Sequence, residues 1–343
     1  MQFLLEDAGL RRETRGLLQR CADVERIAGR IAYGNAGPRD LAALRDLLLL
    51  VPEIRGSCAG AGEALPALLR EALGNLRDRH EVAALISRAL VDDPPALARQ
   101  GNVIRDGYSR DLDELRVLSR TTKDWVVDLQ KRERERTGIR SLRIGYNQVF
   151  GYYIEVTKAN LHLVPSEYRR KQTTAGGERF IIDELAEKGA RIASADEKIL
   201  ALEGELYAAL VRSLQAEIPA LQALAAGLAS LDVAAALAEV ALAKGYTRPA
   251  VEESLRLAIR DGRHPVVEQA LGGRFVPNDT LMDGAGDQVL IITGANMAGK
   301  STYMRAVALI AILAQAGSFV PAAPATVGLI DRAFTRGGAL AGL

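Results

Sequence analysis

Val289-Leu-Ile-Ile-Thr293 runs directly into Gly294-Ala-Asn-Met-Ala-Gly299-Lys300-Ser301, and this stretch decides the fold of the C-terminal part of the chain. The apolar run reads as a strand of the kind buried on both faces in a parallel sheet. The eight residues after it fit G-x-x-x-x-G-K-[ST]. In that spacing Gly294 and Gly299 let the backbone curl so that successive N–H groups face a β-phosphate. Lys300 reaches the β- and γ-phosphates, and Ser301 offers its hydroxyl to Mg²⁺. Thr302 to Ala316, rich in Ala, Leu and Ile, supplies the helix whose N-terminus points at the anion. The expected nucleotide contacts are Gly294, Ala295, Asn296, Met297, Ala298, Gly299, Lys300, Ser301 and Thr302, with Mg²⁺ as a cofactor and Ser301 as the metal contact.

Hydrolysis asks for more than a phosphate cradle. A second apolar strand should end in an Asp for Mg²⁺, with a group nearby to activate water. Val327-Gly-Leu-Ile-Asp331 has that outline, but Arg332 follows it, and the favoured reading is an edge-strand acid paired with Arg332. Only 49 residues follow Gly294, too few for the rest of a sheet, so the nucleotide domain is expected to be cut short and hydrolysis by this chain alone is not expected.

Upstream the hydrophobic period changes twice. Residues 1–100 read as helices broken at Gly34-Asn35, Gly37-Pro38 and Asp93-Pro94-Pro95. Asp111 to Arg136 predicts one helix of about 40 Å, with Leu115, Leu118, Trp125 and Leu129 on one side and Gly138 as its C-cap. Leu142 to Gly145 and Gly151 to Lys158 then alternate as strands around a turn at Asn147-Gln148, and Arg179 to Ile182 reads as another. Helix resumes at Asp183. Ile192, Ile199 and Leu206 recur at seven, with Ala195, Leu202 and Ala209 between them, which predicts an a/d seam. The layout is a small β unit inserted at the tip of two long helices that run out and back.

That β unit is where the charge collects. Lys131 to Arg179 holds eleven bases against five acids, while the whole chain carries a net charge of only +1. Arg132, Arg134 and Arg136 alternate with Glu133 and Glu135, so self-pairing on a solvated helix face competes with an external partner. Arg169-Arg170-Lys171 have only Glu167 nearby, and phosphate contact is the favoured reading there. Tyr152 and Tyr153 alternate across a strand, with one expected in the core.

Composition bounds the rest. Apolar residues make up 48% and charged residues 25%, enough for sizeable cores. Cys21 and Cys58 are too few for a disulfide scaffold or a Cys-built zinc site. The first residues carry acids where a signal peptide carries bases. The run from Ala306 to Ala322 is short for a membrane span and is interrupted by polar residues. A cytoplasmic protein with no membrane partner is expected.

Thr293 to Arg305 resembles the phosphate loop of the MutS family of DNA mismatch-repair ATPases. Gly262-Arg-His-Pro-Val-Val-Glu268, Phe275-Val-Pro-Asn278, Gly317-Ser-Phe-Val-Pro-Ala322 and Ile330 to Arg336 match the same family's pattern. Arg132 to Gly138, Gly151-Tyr-Tyr-Ile154 and Arg169 to Thr173 resemble its clamp, and Cys21 to Ile27 and Pro38 to Leu41 its helical core. Ala295 and Ala298 stand where the family usually has Pro and Gly.

The resemblance implies a multidomain α + α/β chain: a helical core with long paired lever helices, a small inserted β clamp, and a partial P-loop NTPase domain with a parallel sheet. The expected partition is 1–123 for the helical core and outgoing lever, 124–183 for the clamp, 184–247 for the returning lever and 248–343 for the N-terminal part of the ATPase domain. It implies double-stranded DNA as partner, mismatched in the intact family, with Arg132, Arg136, Arg140, Arg169, Arg170 and Lys171 as candidate backbone contacts. Phe275 matches the adenine-stacking aromatic, and the resemblance implies ATP as the nucleotide. Family members dimerise, but the dimerisation helices and the mismatch-reading domain are expected to be missing here, and a nucleoid-associated location is implied. The alternative is a catalytically defective remnant that acts as a coiled-coil interaction or DNA-binding module.

Overall fold

The computed structural model describes residues 1–58, 62, 64–147, 151–272, 274–295 and 298–334, and the chain divides into two units, one of residues 22–49 and 79–222, the other of 1–21, 50–78 and 223–343. The expected turn at Gln148, Phe150, the loop residues Asn296 and Met297, and Thr335 to Leu343 lie outside the described residues. In chain order the helices before the β unit are α1 (Gln2–Glu6), α2 (Ala8–Leu18), α3 (Val24–Ala32), α4 (Pro38–Ser57), α5 (Ala67–Asn75), α6 (His80–Ala89) and α7 (Arg110–Thr137). Strands β1 (Arg143–Asn147), β2 (Gly151–Thr157), β3 (Arg169–Thr173) and β4 (Gly177–Ile181) follow, then α8 (Asp183–Leu214) and α9 (Ile218–Lys244). The remainder comprises β5 (Ala250–Glu252), β6 (Leu257–Gly262), α10 (Val267–Ala270), β7 (Asn278–Met282), α11 (Lys300–Gln315) and β8 (Ala325–Gly328).

In the first unit, α7 is opened by Ser109, whose Oγ accepts from the Leu112 N–H, and closed by Gly138 at φ 73°, a left-handed position that glycine adopts without a Cβ clash. It packs against α8, and the polar contacts give the register. Arg116 meets Glu203, Ser119 and Lys123 meet Asp196, and Arg132 meets Glu184, so one number rises as the other falls. The helices are therefore antiparallel, and the bridged stretch from Arg116 to Arg132 covers about 24 Å.

The buried line of α7 differs from the expected one. It runs through Leu112, Ser119, Val126, Leu129 and Glu133, while Leu118 is 52% exposed. Positions 112, 119, 126 and 133 repeat at seven, but two of the four are polar, so a count of apolar residues selects the neighbouring stripe instead. On α8 the predicted seam holds at Ile192 and Ala195; the buried positions beyond it are Glu203, Tyr207, Leu210, Val211 and Leu214, and Ala209 is exposed. A straight helix of 3.6 residues per turn drifts off a strict seven-residue repeat, and the pairing of Glu203 with Arg116 marks the shifted line.

The four strands form an antiparallel sheet in the order β1-β2-β4-β3. Ile154 and Val156 of β2, Phe180 of β4, Ile139, Leu142 and Tyr168 bury against Val126 and Leu129 of α7 and Leu185 and Ile192 of α8. The β3 strand was not expected from the sequence. All five of its residues are exposed, so it shows none of the alternation by which half-buried strands are recognised.

In the second unit, the sheet order is β5-β8-β6-β7, with β5 and β8 parallel and the other pairs antiparallel. α11 covers it through Ile310, Ala311 and Ala314 against Ile259, Val320 and Val327. This mixed sheet differs from the parallel one expected around the phosphate loop. Residues 289–293 are not a strand: Val289 is 79% and Ile291 86% exposed, and no strand among the described residues pairs with them. Extended backbone needs ladder partners for its N–H and C=O groups, and an apolar sequence alone does not supply them.

By length and composition, residues 183–244 form one helical run apolar enough to cross a membrane. Within it, Leu221, Leu224, Leu228, Leu231, Ala235 and Ala238 of α9 recur every three to four residues and are buried in protein.

Candidate functional site

Gly299 immediately precedes α11 at φ 89°, a conformation that an L side chain rarely adopts, so the glycine spacing of the motif has a backbone reason here. Lys300 then opens the helix. Its Nζ donates to Gly294 O and Ala295 O at 2.6 Å each, which holds the ammonium against the carbonyls of its own loop, beside the first-turn N–H groups of α11. Ser301 is exposed and Thr302 half-buried. A cleft of about 830 Å³ runs past this loop, lined by Phe275, Ile291, Ala298, Gly299, Lys300 and Tyr303 among others. The structure thus brings Phe275, half-buried in a segment that is neither helix nor strand, to the same cleft as the loop.

Tyr303 escaped the sequence reading. It sits three residues after Lys300 on the same helical face, which was the available signal. Its hydroxyl shares a 2.8 Å hydrogen bond with Thr280 Oγ1 and lies 3.3 Å from Asp279 O, so the ring is fixed at the cleft wall. His264 has a structural task. It is 7% exposed, and its Nδ1 accepts from the Val266 and Val267 N–H groups at 3.3 Å each. Burial, then the charge of Arg305, lowers its pKa. Asp331 is exposed and lies 3.9 Å from Arg332 Nε, the pairing expected for it.

The basic β unit presents a different kind of surface, because many of its charges are already matched. Arg136 binds Glu133 Oε2 through Nε at 2.9 Å and Nη2 at 2.6 Å, and Glu167 Oε1 through Nη1 at 2.6 Å. Tyr168 donates its hydroxyl to the same Glu133 oxygen at 2.7 Å. Hydrogen bonds to Glu133 and then Glu167 raise the Arg136 pKa further above its ordinary range; burial, followed by Glu133, pushes Tyr168 up. Arg132 pairs with Glu184 at 2.7 Å, Arg169 with Asp183, and Arg170 with Glu178 at 3.5 Å.

Arg140 and Lys171 are exposed and form no ion pair among the described residues. Lys171 is also the residue at which the β3–β4 register slips, between Arg170 and Gln172. Arg143 and Lys158, which the candidate set left out, are likewise exposed without an ion pair among the described residues. Ser141, Thr157 and Asn160 are linked by hydrogen bonds of 2.9 to 3.3 Å beside Arg140 and Lys158, at the sheet end where β1 starts and β2 finishes. Tyr153 has the Arg179 guanidinium 4.3 Å over its ring, whereas Tyr152 packs toward Gly189 of α8.

Comparison with known proteins places these features in a family. The family model for MutS family domain IV matches residues 107–198, which are α7, the β unit and the first half of α8, and that for MutS domain V matches residues 290–343. The chain is 50% identical over 340 residues to the DNA mismatch repair protein MutS of Methanosarcina acetivorans, covering 99% of this chain and 38% of that protein. It is 51% identical over 331 residues to the MutS protein of Methanosarcina mazei, covering 96% and 37% of the two chains. Against that of Halothermothrix orenii, identity is 48% over 339 residues, covering 99% and 38%. The chain therefore spans about 38% of the length of these relatives. Two family domains matched in chain order, with about half of all residues identical along almost the whole sequence, establish that the chain belongs to the MutS family.

Proposed function

We propose that this chain is a nucleotide- and DNA-binding part of a mismatch-repair protein, with ATP·Mg²⁺ taken at the loop 294–302 and duplex DNA held by the β unit and its two helices. The observation that carries the nucleotide half is the cleft shared by Phe275, Gly299 and Lys300. Its volume suits a nucleoside triphosphate, and it is lined by the cations Lys300 and Arg274, the N-terminus of a sixteen-residue helix and the rings of Phe275 and Tyr303. In this reading Lys300 leaves the Gly294 and Ala295 carbonyls for the β- and γ-phosphates. Ser301 holds Mg²⁺, which neutralises phosphate charge, and Phe275 packs on the base. Asn296 and Met297 complete the loop in sequence.

DNA is bound through its backbone. Arg140 and Lys171, with Arg143 and Lys158, offer unmatched charge; Arg132, Arg136, Arg169 and Arg170 must share theirs with carboxylates. Such contacts position a duplex without reading its sequence. The division into core and outgoing lever (1–123), clamp (124–183), returning lever (184–247) and ATPase part (248–343) follows from the same reading. So do a cytoplasmic, nucleoid-associated location and dimerisation as in the family. Mismatch preference and ATP turnover are not assigned to this chain alone: Asp331 lies beyond the end of β8 instead of on an edge strand, and residues 289–293 have no paired strand among the described residues.

The test is titration of the 343-residue chain with a fluorescent ATP analogue and Mg²⁺, beside Lys300→Ala. Saturable binding lost in the variant supports the reading, and equal binding by both chains removes it. Steady-state ATP hydrolysis at the level of the Lys300→Ala control is the expected companion result. Lys300-dependent turnover would show that a water-activating group lies within these residues.

A further inference from the structure

Arg263, in the Gly262-Arg-His-Pro segment, joins three stretches of chain within one unit. Its backbone N–H donates to Pro321 O at 2.8 Å. Its Nη2 donates to Lys244 O at 3.3 Å and Gly245 O at 3.1 Å, carbonyls at the C-terminal end of α9 that no helical N–H reaches. Its Nε lies 2.9 Å from Glu268 Oε2, and its Cζ is 5.9 Å from the centre of the Tyr246 ring. The Arg263 and Glu268 side chains are 27% and 14% exposed, so this contact is partly shielded from water.

Glu268 belongs to α10. Its neighbour Val267, and Leu271 one turn on, line the cleft that also holds Phe275 and Lys300. The start of α10 is set from the other side by His264, whose Nδ1 takes the Val266 and Val267 N–H groups. A planar guanidinium can bond two carbonyls while its charge faces a carboxylate, here as an ion pair without an aligned Nε–H hydrogen bond, which a lysine ammonium on a flexible stem does less well.

We propose that Arg263 is a positioning residue for the nucleotide cleft: by tying Glu268 of α10 to the end of α9, it fixes the wall that Val267 and Leu271 present to the bound nucleotide. This rests on the reading that the cleft takes ATP. Arg263 need not touch the nucleotide, and it acts through Glu268.

The experiment is a titration of the full chain with a fluorescent N-methylanthraniloyl ATP and Mg²⁺. The variants are Arg263→Met, Glu268→Gln, the double variant and Arg263→Lys, with melting temperature recorded for each. Each single variant is expected to bind about tenfold more weakly, and the double variant no more weakly than either single, because both remove the same tie. Arg263→Lys is expected to recover about half of that loss on a logarithmic scale, since it keeps charge beside Glu268 but not the fork. Glu268→Gln is nearly isosteric and keeps the test open if Arg263→Met does not fold. Binding within twofold of the parent by both single variants, or losses that add in the double variant, overturns the proposal and leaves the ATP reading standing. No binding by the parent chain removes both.

Discussion

The Tyr168 hydroxyl donates to Glu133 Oε2 at 2.7 Å, and the same oxygen takes two N–H groups of Arg136. Glu133 is only 6% exposed in its side chain, so the carboxylate that joins the end of α7 to the β unit is buried, and one of its oxygens takes three donors. Replacing Glu133 with Ala leaves the Tyr168 phenol without its acceptor, while Arg136 loses two of its hydrogen bonds and keeps the one to Glu167. We expect Glu133→Ala to destabilise the chain by about 3 kcal/mol, mainly through the buried phenol, because Arg136 is 45% exposed and keeps Glu167. Tyr168→Phe, which removes a single hydrogen bond to a charged group, should cost about 1.5–3 kcal/mol. Urea unfolding of the two variants checks the order; equal and negligible effects would show that the network is incidental to stability.

Burial raises the tyrosine pKa values of Tyr168 and Tyr207 above the ordinary value of 10. In each case the folded state keeps its proton more tightly than the unfolded one. The contribution is therefore fully present below pH 10 and lost as pH rises from there toward the folded-state values. Urea midpoints between pH 8 and 11 should be flat at first and then fall. Tyr168→Phe should fall less steeply, because one of the groups with a raised pKa, which also include Tyr152, Tyr246, Cys21 and Cys58, no longer titrates. A midpoint that rises with pH in this range would contradict the assignment.

Arg116 and Glu203 make the buried ion pair of the α7–α8 seam, with side chains 11% and 1% exposed, and Glu203 also accepts from the Val103 N–H at 3.4 Å. Arg116→Met strands that carboxylate and should cost about 3–5 kcal/mol. Arg116→Met with Glu203→Leu removes both charges and should be more stable than Arg116→Met alone, although the Val103 N–H loses its acceptor. Thermal unfolding of the three chains decides it, and a double variant less stable than the single would show that the glutamate contributes through Val103 more than through Arg116.

Unmatched and matched bases should differ in how they respond to salt. Each phosphate contact released by substitution lowers the slope of log affinity against log salt by about 0.9 for duplex DNA. Lys171→Gln and Arg140→Gln should each reduce the slope by about one contact with little change in stability. Arg136→Gln should do the reverse, lowering stability while leaving the slope near its parent value, because its charge faces Glu133 and Glu167. Fluorescence anisotropy with a perfect duplex between 50 and 200 mM salt separates the two patterns.

The parts of this fold that were legible in sequence are those with a local cause. Gly138 ends α7 because a left-handed residue is needed there, and Lys300 begins α11 directly after a glycine in the same kind of conformation. The β1–β2 pairing could be read from alternation, since Ile154 and Val156 face the core while Glu155 between them does not. Parts set by distant partners were not legible. Ser119 and Glu133 occupy core-facing positions because Asp196 and Tyr168 meet them there, and nothing near them in the sequence announces those partners. Leu118 reads as core by type, yet it is exposed because the seam lies one residue further on. At the phosphate loop the motif was clear, but the strand expected before it needs neighbours that local sequence cannot supply.

The outer strand of the inserted sheet has an evolutionary consequence. Every residue of Arg169-Arg-Lys-Gln-Thr173 is exposed, and the core beneath depends on Ile154, Val156 and Phe180 from its neighbours. Selection on folding therefore constrains the backbone of this strand far more than its side chains. Its charge can be retuned one residue at a time, toward tighter or looser engagement of whatever it faces, at little expense to the scaffold. The chain keeps its adjustable surface where errors are cheap to the fold.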